Sequence, residues 1–81
     1  MIGSIDALVA LDRRAFHTCT PDEYRAFQRW TDWCEVGGNM RQSDRDHMAT
    51  VIPTLRAHVT GEQADILVAW LSMMEVAHVA T

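Results

Sequence analysis

Four histidines and two cysteines are the residues of this chain best suited to chemistry, and their spacing limits what they can do. His17-Thr18-Cys19 sets an imidazole beside a thiol, while Cys34, His47, His58 and His78 stand far apart in the sequence. Structural zinc needs four nitrogen or sulfur ligands, commonly delivered as C-x2-C and H-x3-H pairs. The cysteines and histidines form neither pair, so no metal ligands are expected and Cys34 reads as a small core residue.

Nucleophilic catalysis would use Cys19, which precedes a helix N-terminus where a thiol pKa falls, with His17 as its base. Neighbours in a short linker rarely reach hydrogen-bond geometry, and short helices leave little room for a pocket of several hundred Å³. Gly37-Gly38 reads as a helix stop rather than a phosphate loop. The sequence therefore predicts no catalytic residues, no cofactor and no enzyme activity. Two free thiols suit a reducing cytoplasm.

The charged residues argue about partners. The formal charge is -4, and all seven basic residues are arginine, with no lysine. Missing lysine points to a GC-rich genome, bacterial or phage. Arg41 and Arg45 open a helix whose first turn could enter a DNA groove, but Asp44 and Asp46 share that turn and would face phosphates. Nucleic-acid binding is thus not expected, and a small dimeric DNA-binding regulator is the alternative reading. On another helix Arg25, Arg29 and Trp33 recur at intervals of four. Arginine and tryptophan are enriched at interface hot spots, so this flank is the expected partner-binding surface. The competing reading has Trp33 closing the core while the arginines pair with Asp22 and Asp32.

Helices must position these side chains, and their boundaries are written in the sequence. Thr20-Pro21-Asp22-Glu23 combines an N-cap, a first-turn proline and a capping-box glutamate. Thr60-Gly61-Glu62-Gln63 repeats the box with glutamine. Ser43 gives a weaker start, Ser4 can cap a first helix, and Gly37-Gly38-Asn39 is a stop. Four segments follow, at 4–17, 21–36, 43–59 and 61–79, in one domain spanning 1–81. The apolar stripes are Ile5, Leu8, Leu11 and Ala15 (Val9 and Phe16 at the margin); Phe27, Trp30 and Cys34; and Met48, Val51, Ile52, Leu55 and Val59. Pro53 lies opposite the third stripe, which keeps its phase, so a kinked helix is expected there.

The fourth helix is apolar in eight of nine positions from Ile66 to Met74. A helix apolar nearly all round must be surrounded, which makes it the expected centre. Val68, Val76 and Val79 fall away from its main face, so either other helices wrap them or a second copy does. A homodimer is the expected answer. The run is far shorter than the roughly 20 residues a bilayer requires, and no signal-peptide pattern precedes it. The expected protein is an all-α, compact four-helix bundle of the cytoplasm. Its expected role is a non-enzymatic inhibitor or adaptor of bacterial or phage origin that binds another protein through a helical face.

Overall fold

The caps act where local chemistry is self-sufficient. In the computed structural model, which describes residues 4–79 and the side chains of residues 4–74, α1 spans Ile5–Thr18 and α2 spans Pro21–Val36. Ser4 caps α1 by accepting from the Ala7 N–H at 3.2 Å. Thr20 and Glu23 exchange both capping-box bonds, at 2.9 and 3.3 Å. Gly37 ends α2 at φ 77°, a conformation glycine adopts without a Cβ clash.

The other two starts differ from the sequence reading. Helix α3 spans Gln42–Arg56 and is opened by the Arg41 carbonyl, with no side-chain cap; Ser43 already lies inside it. Helix α4 spans Glu62–Val79, and the carbonyl accepting its first bond, from Asp65 N–H at 3.1 Å, belongs to Gly61. With Gly61 at φ 63° the cap moves past Thr60, whose side chain makes no hydrogen bond among the described residues. Glu62 instead reaches across the bundle. Its carboxylate accepts from the Ser4 N–H at 2.7 Å and from Ser4 Oγ at 3.0 Å, tying the start of α4 to the start of α1.

The described residues hold four helices and no strands, packed around one core. Helix α3 lies against all three others. It contributes Met48, Val51, Ile52 and Leu55, all fully buried, on a stripe that keeps its phase on both sides of exposed Pro53. The helix ends before Val59, which still packs against the core from the following loop. Helices α2 and α4 meet through aromatic rings: Phe27 sits edge-on to Trp70 at 5.6 Å, and Trp30 to the same ring at 6.5 Å. Among the described residues the buried indole N–H groups of Trp30 and Trp70 have no hydrogen-bond partner, and the two rings contribute apolar area.

Helix α1 is rotated relative to its expected stripe. Ala7, Leu11 and Ala15 face the core, while Ile5, Val9 and Phe16 are 65%, 48% and 63% exposed. Leu8 is half-buried against the core, so the expected stripe keeps Leu8, Leu11 and Ala15, gains Ala7 and loses Ile5. Val68 is 45% exposed, so the other helices do not wrap that side of α4. The side chains of Val76 and Val79 lie outside the described residues. No helix among the described residues is long and apolar enough to cross a membrane.

The cap geometry predicts that Thr20→Ala costs about 0.5–2 kcal/mol. Thr60→Ala should stay within about 0.5 kcal/mol of the parent. Urea melts followed by circular dichroism check both; equal losses at the two threonines would contradict the shifted cap.

Candidate partner-binding flank

Sequence spacing puts Arg25, Arg29 and Trp33 on one flank of α2, and the fold gives each a different tether. Arg25 Nη1 lies 3.3 Å from Asp22 Oδ1, an exposed i,i+3 pair of the kind worth about 0.2–0.5 kcal/mol. Arg29 turns toward α3 rather than to Asp32. Its Nε donates to both Asp44 oxygens at 2.9 Å, and its Nη2 donates to Oδ1 at 2.6 Å. Asp44 is 2% exposed, whereas the Arg29 side chain keeps 48% of its surface. The pair therefore buries a carboxylate under a guanidinium whose outer side stays in solvent. Arg29 Nη1 has no hydrogen-bond partner among the described residues.

The arginine's hydrogen bonds, working against burial, hold the Asp44 carboxyl below the usual range; nearby Arg41 and His47 add to the effect. The same bonds raise Arg29 still further above neutral pH. Buried and neutralised, Asp44 does not face outward from the first turn of α3, which removes one of the two acids expected to repel phosphates there. Asp46 remains exposed and accepts from Gln42 Nε2 at 2.9 Å.

Trp33 is half-buried and held at two places. Its ring tilts against Trp30 at 5.0 Å, and its Nε1 donates to the Gly38 carbonyl at 2.9 Å. The α2–α3 turn thus folds back onto the indole. Beside it, Val36 is 84% exposed, and half-buried Met40 completes an apolar wall. Two open grooves run along this flank. One, of about 450 Å³, includes Leu8, Asp12, Arg25 and Arg29. The other, of about 340 Å³, includes Arg29, Trp33, Val36 and Met40. Arg29 borders both, so the three arginine and tryptophan side chains line one continuous strip. Met40 and Asp44 are the members that helical spacing on α2 alone does not reveal, whereas Val36, seven residues after Arg29, shares the flank by spacing.

The cysteines take no part in this strip's chemistry. Burial, with Glu23 adding, pushes the Cys19 thiol up rather than down, against the effect expected from the adjacent helix start. Burial and Glu35 push Cys34 up to about 11. Protonated thiols are weak nucleophiles. Among the described residues no three histidine, cysteine, aspartate or glutamate side chains gather into a metal-binding group.

The tethers predict opposite outcomes for the two arginines. Arg29→Ala should cost about 1.5–3 kcal/mol, the range for a hydrogen bond to a charged group. That is less than the loss on breaking a fully buried pair, since water reaches Arg29. Arg25→Ala should change stability by less than about 0.5 kcal/mol. Because Asp44 is depressed, its contribution is complete above the ordinary aspartate value of about 3.9 and is lost as pH falls through its lowered value. The stability gap between the parent and Asp44→Asn should therefore narrow below about pH 4. Urea melts stepped from neutral to acid pH measure it, and a pH-independent gap would show that Asp44 is not held as a carboxylate.

Comparison with models of protein families, with curated proteins and with solved structures returns no match to this chain, so the functional reading rests on the flank's own chemistry.

Proposed function

We propose that this chain is a small, non-enzymatic protein-binding module of the cytoplasm that docks a partner protein along the Arg25–Arg29–Trp33 flank of α2. One observation carries the reading: Arg29 is clamped by buried Asp44 yet keeps about half of its side-chain surface exposed and lines both grooves. A guanidinium already fixed in place loses little conformational freedom on binding a carboxylate. Trp33, Val36 and Met40 add apolar area next to that charge, the mixture found at the centre of binding hot spots. The partner would bring an acidic group to Arg29 and an apolar side chain to the wall beside Trp33. An inhibitor or adaptor of bacterial or phage origin fits this behaviour.

Self-association belongs to the same proposal. The exposed Val68 side of α4 would be covered by a second copy in a twofold pair, which makes α4 the central element of the assembly. In this reading α3 bends at Pro53, opening away from the core.

Two exposed positions, Arg25 and Val36, test the flank without touching Trp33 or the Arg29–Asp44 pair. Tagged parent, Arg25→Glu and Val36→Asp chains, all with matching melts, are used to capture proteins from a lysate of the source organism. A protein retained by the parent and lost by both variants supports the flank. Equal retention by all three would place binding elsewhere.

A further inference from the structure

We infer that a second groove, sharing no lining residue with the α2 flank, is a binding site that takes an acidic peptide segment of another protein. The groove, of about 690 Å³, runs between α1 and the α3–α4 connection. Arg13, Arg14 and His17 come to it from the last turns of α1, and His58 comes from the connection. The ion pairs among the described residues are Arg25–Asp22 and Arg29–Asp44, so no described carboxylate lies within ion-pair distance of Arg13 or Arg14. Asp6 is the only acid among the described residues lining the groove, and it lies about two helical turns from Arg13. The positive charge is thus concentrated at one end, on a chain whose overall charge is -4.

Favourable placement at the negative end of the α1 dipole accounts for basic residues late in that helix. It does not account for His58, which arrives from a different element, or for Val9, Ala10 and Val59 in the same lining. Arginines beside apolar side chains match a segment that alternates carboxylates with aliphatic side chains. Arginine forks bind carboxylates through paired hydrogen bonds. The groove is open along its length, which suits an extended segment better than a small ligand that must be largely enclosed. Two arginines cover too short a stretch to supply the several phosphate contacts on which nucleic-acid affinity rests. This surface is separate from the α2 flank and does not depend on it.

The test is an NMR titration of the full chain with a synthetic peptide of repeated Asp-Leu-Glu triplets, with inorganic pyrophosphate and a single-stranded DNA oligonucleotide run in parallel. Saturable peptide shifts at the residues around Asp6–His17 and His58–Gln63 are expected, weakening as salt is raised; shifts on the α2 flank would report the separate site proposed there. Arg13→Glu with Arg14→Glu should reduce affinity at the groove about tenfold or more, equivalent to at least about 1.4 kcal/mol, while Arg45→Glu, which lies on neither surface, leaves it unchanged. The neutral pair Arg13→Gln with Arg14→Gln, with a parent-like melt, should show a smaller loss and separates charge from folding. Absence of saturable shifts at the groove, an unchanged groove affinity in the reversed variant, or tighter binding of pyrophosphate or DNA at the groove would each overturn the proposal.

Discussion

A carboxylate at 2% exposure cannot stay ionised in a small helical core without a fixed partner, and Arg29 supplies one to Asp44. Removing that partner strands a charge at a cost of several kcal/mol in a fully buried setting. The three N–H···O contacts also fix orientation, since a planar guanidinium presents its donors in only one arrangement to both oxygens. They join the middle of α2 to the first turn of α3 across the glycine turn. The register of α3 follows, because Asp44 stands one turn before Met48 on the same buried stripe.

The exposed strip inherits its rigidity from this pair and from a relay of rings. Phe16, Tyr24, Phe27, Trp70, Trp30 and Trp33 contact one another in succession, and together they are all the aromatic residues of the chain. Tyr24 anchors the relay to α1 by donating to the Asp12 carboxylate at 3.0 Å. Burial, then that carboxylate, raises its phenol above the usual range, keeping the donor protonated. Trp33 is thus the outer end of a packed core, which explains how one residue can both close the core and line a groove. The sequence reading posed core closure and partner binding as alternatives; packing on Trp30 gives Trp33 the first role, and the second belongs to the proposal.

Local signals were readable wherever the chemistry was local. Thr20, Pro21 and Glu23 satisfy one another within a single turn, so their spacing was sufficient. Thr60 presented the same pattern, but Gly61 could adopt a positive φ and take the cap, while Glu62 bonds to Ser4. Periodicity on α1 gave an apolar face without revealing which part of it a neighbour would cover. Packing turned Ala7 and Leu11 inward and left Ile5 outside. Asp44 was legible in principle: positions 44, 48, 51, 52 and 55 share one helical face, and an acid on that face calls for a buried cation. Identifying Arg29 as that cation required knowing how α2 and α3 pack, which spacing within either helix does not contain. The groove beside α1 was hidden for the same reason, since His58 joins Arg13 and Arg14 only after the chain folds back.

The dependence of the α2–α3 arrangement on one ion pair is open to a double-mutant cycle. Stabilities of the parent, Arg29→Ala, Asp44→Ala and the double variant, from urea melts at neutral pH, give the coupling directly. The pair described here predicts that the double variant is more stable than the sum of the single losses implies, with a coupling of about 1 kcal/mol or more. Additive losses, within about 0.3–0.5 kcal/mol, would mean that the two side chains act independently and that something else sets the docking flank in place.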